Sequence, residues 1–201
     1  MTDLRRKILD ASAALVEEHG VRSVSFRQVA RHAGVSHQAP YHHFGNYQGI
    51  LRALTQEGFT NLARAMQSAS DGAGPDPMTK LHSAGLAYVE FARTYTGHFR
   101  VMFQHAIVDI HDDDEPVGEA EGAHQTLVRL AQACHDSGYG HWMTSQELAN
   151  LCWSTVHGVA SLLVEGVLVK KTSGIGKTHE ALTRQVLEPL TQMLRDTRLD
   201  P

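Results

Sequence analysis

Three neighbouring residues near the amino terminus, His37, Gln38 and Ala39, carry side chains that can read the edges of DNA bases. A Gln side chain can form two hydrogen bonds with one adenine, and an Ala methyl group can touch the methyl group of thymine. Such readout requires a short helix that presents these side chains to the major groove. The elements around these residues therefore decide whether this chemistry is possible.

A second pair with chemical potential, Trp153 and His157, lies in the carboxyl-terminal half. Because the two residues are four positions apart, they share one face of a helix, where indole and imidazole can line the same cavity. His157 could then hydrogen-bond a polar group of a ligand. A His held by a neighbouring backbone or carboxylate group in the core is an equally good interpretation.

Aromatic and Met side chains could complete such a cavity, namely Tyr88, Phe91, Phe99, Met102 and Phe103. At helical spacing these residue types more often form the core of a bundle, although in a sensor protein the core and the pocket share walls. The predicted ligand-binding set comprises Tyr88, Met102, Phe103, His105, Trp153 and His157.

The chain contains 14 His residues, so a metal site has to be considered. Zinc could be bound by His105, Asp109 and His111, or by His135 and His141, but neither group has the spacing of a known closed site. We therefore expect no functional metal and no cofactor. The sequence also lacks a nucleophile motif, a phosphate-binding loop and HExxH, so a His-rich helical enzyme is the weaker class of interpretation.

Apolar residues recur at helical spacing almost everywhere, which predicts an all-α fold. A first helix has one apolar face, formed by Leu4, Ile8, Ala11 and Leu15. It should end at Gly20. A second helix is expected from Phe26 to Ala33, with Ser25 as its N-cap and Gly34 at its end. Ser36 is expected to cap a short third helix.

Three short helices with a Gly-containing turn before the third have the layout of a helix-turn-helix. A small core can hold the second helix against the third, formed by Val24, Phe26, Val29, Ala30 and Val35. The third helix would then be free to enter a major groove. An ordinary helical hairpin fits the same spacing, so the geometry leaves both interpretations open.

The rest of the chain predicts a long helix from about Tyr47 to Ala69 and further helices at about 78–95, 98–108, 116–137, 145–171 and 177–197. The segment DGAGPDP, residues 71–77, is the clearest helix breaker, and Pro189 should kink or split the last helix. We expect a DNA-binding domain at 1–50 and a larger helical domain for effector binding and dimerisation at 51–201.

Composition agrees with a small DNA-reading module on a larger body. The 201 residues are 42% hydrophobic, enough for a packed core. The net charge of -4 is unevenly spread, because residues 1–50 carry +2 and the remainder carries -6. No apolar run approaches the ~20 residues that span a bilayer, and the start lacks the apolar centre of a secretory signal. We therefore expect a cytoplasmic protein with no membrane partner.

The segment RQVARHAGVSHQAPYHHFGNYQGIL closely resembles the signature of the tetracycline-repressor (TetR) family. The matching residues are Ala30, Gly34, Val35, Ser36, Tyr41, His43 and Phe44. The resemblance covers about residues 4–55. It implies a ligand-responsive transcriptional regulator, in most cases a repressor, that binds a palindromic operator as a homodimer.

The resemblance also implies roles for further residues. Arg27 matches a position that reads a base in some members of the family, and a phosphate contact is an equal alternative. Tyr41, His42 and His43 stand where the family contacts phosphate; a structural hydrogen bond to the first helix is the alternative for His43. Ser25, Ser36 and Tyr47 complete the set. The residues predicted to contact DNA are Ser25, Arg27, Ser36, His37, Gln38, Ala39, Tyr41, His42, His43 and Tyr47.

Two residues depart from the family pattern. Pro40 replaces a usual Leu, which is tolerable in the first turn of a helix. Tyr47 stands where the family usually has a Lys that contacts phosphate, and a phenol cannot replace that charge. We therefore expect weaker electrostatic binding to DNA than in a typical member.

The segment WSTVHGVASLLVEG, residues 153–166, resembles the Trp-x-x-x-His-Gly segment of one class of TetR carboxyl-terminal domains. This resemblance implies a WHG-type domain that binds a small, largely apolar effector and thereby releases the DNA. A regulator without a small-molecule effector is the alternative. Dimerisation is expected through the last two helices of each subunit.

Overall fold

The structure is a computed structural model that describes residues 4–104, 118–172 and 178–199. These residues contain no strand, which confirms the all-α prediction. They form a short 3-10 helix at Val21–Ser23 and ten α-helices: α1 (Leu4–His19), α2 (Phe26–Ala33), α3 (Ala39–Phe44), α4 (Tyr47–Asp71), α5 (Pro77–Thr94), α6 (Thr96–Met102), α7 (Gly118–Asp136), α8 (Ser145–Val164), α9 (Val167–Thr172) and α10 (His179–Asp196).

The chain divides into two compact units. The first comprises Met1–Thr60 with Tyr95–Ala120, and the second comprises Asn61–Thr94 with Glu121–Pro201. Helix α4 contributes residues to both units. Among the described helices, none combines the length and apolar character that a membrane-spanning helix requires.

The core of the first unit is formed by apolar side chains of α1, α2, α4 and α6. The most deeply buried are Ile8, Leu9, Val16, Val29, Ile50, Leu51, Leu54 and Val101. Four of the five residues predicted to hold the second helix against the third are buried, and Val35 packs against the same core. The predicted small core is therefore confirmed.

The ends of α1 and α2 follow the predicted signals. Gly20, directly after α1, has φ 79°, and Gly34 ends α2 in the left-handed conformation with φ 66°. Ser25 caps α2 by accepting a hydrogen bond from the backbone N–H of Gln28, while its own N–H donates to the Gln28 side chain at 2.9 Å. This reciprocal capping fixes where α2 begins.

The third helix starts later than the sequence predicts. It begins at Ala39 with Gln38 as the N-cap, and only the Ser36 carbonyl takes part, by accepting the Ala39 N–H at 3.1 Å. The expected side-chain cap by Ser36 is therefore wrong. Pro40 lies in the first turn of α3, where a missing N–H costs no helical hydrogen bond.

In the second unit, α5 packs against α8 and α10. Thr144 caps α8 in the predicted capping box with Glu147. The predicted helix at 145–171 is interrupted, because Gly166 adopts φ 68° and α9 begins afresh at Val167. Pro189 does not split α10, which runs from His179 to Asp196. The predicted helix at 98–108 corresponds to α6, which ends earlier, at Met102; residues 105–108 lie outside the described residues.

A polar cluster around Asp76 joins the start of α5 to the end of α10. Asp76 caps α5 by accepting the Thr79 N–H at 3.0 Å, and it also accepts hydrogen bonds from Tyr139 at 2.9 Å and Arg195 at 2.6 Å. Burial alone would raise the pKa of Asp76, but hydrogen bonds from Thr79, Arg195 and Tyr139 outweigh it and lower the pKa well below its ordinary value. The side chain is therefore a carboxylate at neutral pH.

Candidate nucleic-acid interface and effector site

The recognition surface is positioned by an aromatic contact between α2 and α3. The ring of Phe26, at the start of α2, meets the Tyr41 ring edge-on at a centroid distance of 4.4 Å. The same Phe26 ring meets Tyr47, at the start of α4, at 6.4 Å. Because Phe26 is itself buried in the core of the first unit, these contacts orient α3 against that core.

Most of the predicted DNA-contacting side chains lie at the surface of α2, the following turn and α3. The exposed members are Ser25, Arg27, Ser36, His37, Gln38, Tyr41 and His42. His43 is half-buried between the rings of His42 and Phe44, with centroids 5.4 and 6.5 Å away. Within the described part of the chain, no hydrogen bond joins His43 to α1, so the structural alternative for this residue lacks support.

Ala39 differs from this group, because it belongs to the core. Its exposed fraction is 8%, and it packs with the apolar residues that hold α3 in place. A methyl group buried among these residues is not available to a thymine in a groove. We therefore correct the prediction for Ala39 and remove it from the candidate DNA-contacting set.

Tyr47 also has a partner that the sequence did not indicate. Its hydroxyl donates a hydrogen bond to the carbonyl oxygen of Val21 at 3.0 Å, and burial raises the pKa of the phenol to about 12. The single hydroxyl proton is thus used within the protein, and the phenol is uncharged at neutral pH. A direct phosphate contact by Tyr47 would have to break the bond to Val21.

Sequence reasoning missed an ionic cluster that connects three helices of the first unit. Arg6 of α1 donates to Glu57 of α4 at 2.5 Å and to Asp10 at 2.8 Å. Glu57 also lies 3.2 Å from Nε2 of His98 in α6. Burial lowers the pKa of His98 more than the nearby Glu57 carboxylate raises it. The partners are 41 and 51 positions apart in sequence, so no local pattern could have indicated them.

Tyr88 of α5 joins the predicted effector pair in the second unit. Its hydroxyl lies 2.9 Å from Nδ1 of His157, so the two side chains are hydrogen-bonded. The side chain of Trp153, four positions before His157 on α8, is near enough to lower the pKa of the Tyr88 hydroxyl, although burial outweighs this effect. The ring of His124 lies 6.0 Å from that of Trp153.

Burial differs among the side chains of Tyr88, Trp153 and His157. Tyr88 is buried, with an exposed fraction of 3%, whereas 41% of Trp153 is exposed. Burial raises the pKa of Tyr88 above its ordinary value and lowers that of half-buried His157. The direction of the Tyr88–His157 hydrogen bond depends on which ring nitrogen of His157 carries the proton.

The remaining predicted effector residues do not belong to this cluster. Met102 and Phe103 lie in the first unit, where Phe103 packs against Phe59 and Phe99 with ring centroids 5.6 and 5.3 Å apart. His105 lies outside the described residues. The structure therefore groups three of the six predicted residues, and it describes Met102 and Phe103 as packing residues of another unit.

Two open grooves in the second unit have other linings. One, of about 650 Å³, lies between α5 and α10 and includes His82, Thr191 and Arg195. The other, of about 690 Å³, includes Leu86, Arg93, Leu163, Glu180 and Arg184. Neither is lined by Tyr88, Trp153 or His157.

Candidate metal ligands were also part of the sequence prediction, and the described residues show their surroundings and those of the two cysteines. There, no three His, Cys, Asp or Glu residues are grouped to hold a metal ion. Asp109 and His111 lie outside the described residues. Cys134 and Cys152 are both buried and unpaired, and burial raises the pKa of each thiol to about 12, so these thiols are protonated at neutral pH.

Two family sequence patterns match this chain. The pattern of "Bacterial regulatory proteins, tetR family" matches residues 8–54, which contain α2 and α3. The pattern of "Tetracyclin repressor-like, C-terminal domain" matches residues 81–190. The second match alone covers more than half of the chain.

Curated relatives carry the names of transcriptional regulators, which are not enzymes. The chain is 24% identical over 162 residues to the uncharacterized HTH-type transcriptional regulator YobS of Bacillus subtilis, a match that covers 80% of this chain and 79% of YobS. It is 31% identical over 90 residues to BetI 2 of Chromohalobacter salexigens, a match that covers 45% of this chain and 43% of BetI 2.

Solved structures share the fold over nearly the full length. A Rhodococcus protein of unknown function superposes with a TM-score of 0.77 at 26% identity and covers 96% of each chain. The TetR-family regulator PfmR of Thermus thermophilus superposes with a TM-score of 0.74 at 19% identity and covers 96% of this chain and 99% of its own. With both family patterns and the helix-turn-helix surface in place, the chain belongs to the TetR family of transcriptional regulators.

Proposed function

We propose that the protein is a transcriptional repressor that binds a palindromic operator as a homodimer and is released from it by a small, largely apolar effector. The observation that carries the proposal is the exposure, on α2, the turn and α3, of side chains whose chemistry can read bases and bind phosphate. In this proposal residues 1–50 bind DNA, and residues 51–201 bind the effector and form the dimer.

Base readout is assigned to the residues at the start of α3 and α2. Gln38 is exposed at the N-cap of α3 and His37 precedes it, so both can reach base edges without unfolding the helix. Arg27 is exposed in the first turn of α2 and can contact guanine or a phosphate. Tyr41 and His42 are exposed on α3 and can donate hydrogen bonds to phosphate oxygens.

Dimerisation is assigned to α8 and α10. Besides Trp153, three large apolar side chains on these helices are exposed, namely Leu162, Val186 and Met193, with exposed fractions of 44%, 38% and 46%. Gly158 adds an open position on α8, because a methyl group there would meet no atom within 4 Å. Apolar surface of this kind favours burial against a second copy, and an isologous dimer matches the symmetry of a palindromic operator.

Effector binding is assigned to the cluster of Trp153, Tyr88 and His157. The hydrogen bond between Tyr88 and His157 makes a polar anchor beside the partly exposed indole ring of Trp153. A ligand that binds this cluster can lower DNA affinity only if it favours the conformation that fits DNA poorly. We place the protein in the WHG-type class on the resemblance of residues 153–166, and we place it in the cytoplasm, where operator DNA is found. No catalytic residue or cofactor is assigned.

The decisive experiment is to recover genomic fragments from the source organism with the purified protein and to sequence them. A palindromic site bound with nanomolar affinity and a steep salt dependence would support the proposal. Fragments without a common sequence, bound no more tightly than random duplex, would contradict it. Effector action is tested next, by screening small apolar molecules for release of the recovered fragment.

A further inference from the structure

The open groove between α5 and α10 lies wholly within the second unit and has a volume of about 650 Å³. Sites for small molecules commonly have this size. The side chains that line it include His82 of α5 and Glu188, Thr191 and Gln192 of α10. Their hydrogen bonds decide what kind of ligand the groove can hold.

Thr191 fixes the direction of the hydrogen bond made by His82. The Thr191 hydroxyl donates to the carbonyl oxygen of Leu187 at 2.9 Å, and the same hydroxyl oxygen lies 2.8 Å from Nδ1 of His82. Because a hydroxyl has one proton and a carbonyl can only accept, the Nδ1–H of His82 is the donor to Thr191. Burial lowers the pKa of His82 more than the Glu188 carboxylate raises it, so the ring is neutral at neutral pH. Its Nε2 is then an acceptor.

The amide of Gln192 is oriented by a second group that can only accept. Its Nε2 donates to the carboxylate of Asp196 at 2.6 Å, so Oε1 is the amide atom left for another partner. Within residues 4–104, 118–172 and 178–199, neither Oε1 of Gln192 nor Nε2 of His82 has a hydrogen-bond partner. One groove therefore contains two acceptor atoms without donors.

Glu188 adds a charged acceptor to these two atoms. It lies four positions before Gln192 on α10, so the two side chains share one helix face. Its ion pair with Arg184 is long, at 3.5 Å, and Arg184 also pairs with Glu180 at 3.2 Å. A surface ion pair of this kind contributes little energy, so Glu188 can accept hydrogen bonds from a further cation.

The charge around the groove favours a cation. Arg195 also lines the groove, but its charge is matched by the carboxylate of Asp76 at 2.6 Å. The lining residues and the side chains bonded to them, directly or through Arg184, include more carboxylates than guanidinium groups. The carboxylates are Asp76, Glu180, Glu188 and Asp196, and the guanidinium groups are Arg184 and Arg195.

We infer that this groove binds a small molecule that carries a primary ammonium group. Such a group has three N–H donors and no acceptor, and the groove offers Nε2 of His82, the carboxylate of Glu188 and Oε1 of Gln192. A hydrocarbon chain on the ligand can lie against the ring of Pro189 in the same lining. This site is separate from the cluster of Trp153, Tyr88 and His157, and it does not depend on the proposed function.

The test uses the full chain with isotope-labelled histidine and n-pentylammonium chloride as the probe, followed by nuclear magnetic resonance at pH 7. The signals of His82 are identified by their absence from the His82→Gln variant. Before the probe is added, they should show the ring proton on Nδ1. The probe should then shift the Nε2 signal in a saturable way, with a dissociation constant of about 1–10 mM, as expected for a ligand of this size.

Two variants and two further compounds isolate the ammonium contact. Glu188→Gln should weaken binding of the probe by at least about tenfold, because it removes the charged acceptor. Glu165→Gln is the matched control, since it removes an exposed carboxylate of the same unit outside this groove, and it should bind the probe as the wild type does. Pentanol lacks the charge and pentyltrimethylammonium lacks the N–H donors, so neither should reproduce the shift.

A His82 ring with its proton on Nε2, no saturable shift, an equal shift with either comparison compound, or unchanged binding by Glu188→Gln would each overturn the inference. A shift that appears when the protein is concentrated without probe would overturn it as well, because a lysine of a second copy would then be the occupant. None of these outcomes bears on DNA binding, so the proposed function is tested separately.

Discussion

Gly97, in the first turn of α6, packs directly against the backbone of Ala13 in α1. A methyl group added at residue 97 would overlap the carbonyl oxygen, the carbonyl carbon and the Cα of Ala13. Because all three are backbone atoms, no side chain can move aside to relieve the overlap. The close approach of α1 and α6 therefore depends on a residue without a Cβ at this position.

Gly97→Ala is expected to lower the free energy of unfolding by about 2 kcal/mol or more, because the helices must separate. Gly122→Ala is the matched control, since a methyl group there would make an ordinary contact with Ala63 at 3.7 Å. The control should be neutral or slightly stabilising, because Ala favours a helix more than Gly does. Urea denaturation measures both, and an equal effect of the two variants would contradict the argument.

Gln38→Ala should change which operator sequences are bound, because it would remove the base contact proposed for Gln38. The expected loss is about 1–3 kcal/mol on the preferred operator and much less on random duplex. Tyr47→Phe is the comparison, because it removes the hydrogen bond to Val21. It should lower the free energy of unfolding by about 1 kcal/mol and weaken binding to all DNA sequences about equally. Fluorescence anisotropy with both duplexes measures these changes. Equal losses on operator and random DNA for Gln38→Ala would exclude base reading.

Asp76→Asn should destabilise the protein in a pH-dependent way. The folded-state pKa of Asp76 is below its ordinary value of 3.8, so its contribution is fully present above that value and is lost as pH falls towards the folded-state pKa. Because Asp76 is about one-third exposed, we expect a loss of only about 1 kcal/mol at pH 7 and a smaller loss at pH 3. Asp196→Asn, on the exposed end of α10, is the control. A difference for Asp76→Asn that is independent of pH would refute this assignment.

Leu162→Glu and Met193→Glu should each weaken the dimer, because a carboxylate would be buried in the proposed interface of α8 and α10. Leu199→Glu is the control, since Leu199 has an exposed fraction of 54% and lies beyond α10. Light scattering at micromolar concentration should give a dimer for the wild type and the control, with a shift towards the monomer for the two interface variants. A monomeric wild type would refute the proposed assembly.

Trp153→Ala should leave operator binding intact while reducing release by a compound that displaces the wild type. The residue is 41% exposed, so its loss costs little core packing. Trp142→Ala is a close control, because Trp142 is 46% exposed in the same unit but does not share a helix face with His157. We expect the control to respond normally. A normal response of Trp153→Ala would mean that the effector binds elsewhere, for example in one of the two grooves along α5.

Much of the fold could be predicted because its signals are local. Gly20 and Gly34 provide left-handed backbone at helix ends, and Ser25 and Thr144 cap the helices that follow them. The residues from Ala30 to Phe44 also carry the family resemblance, which depends on types and spacing alone. Such signals act over a few residues, so a single sequence contains them.

The tertiary structure decided which side chains remain available to a partner. Ala39 and His37 are two positions apart, but packing against the core buries Ala39 and leaves His37 exposed. Local periodicity could not distinguish them, because α3 begins only at Ala39 and His37 therefore lies in the turn before the helix. The hydrogen bond from Tyr47 to Val21 likewise depends on two segments that meet only in the folded first unit.

Partners far apart in the sequence could not be predicted, because their contacts form only when distant segments pack together. Trp153 and His157 are related by helical spacing, which the sequence states, whereas Tyr88 joins them from a position 69 residues before His157. Arg6, Glu57 and His98 form their cluster only because α1, α4 and α6 pack together. The sequence determined the helices and the type of recognition surface; packing between distant segments decided the partner of each polar side chain.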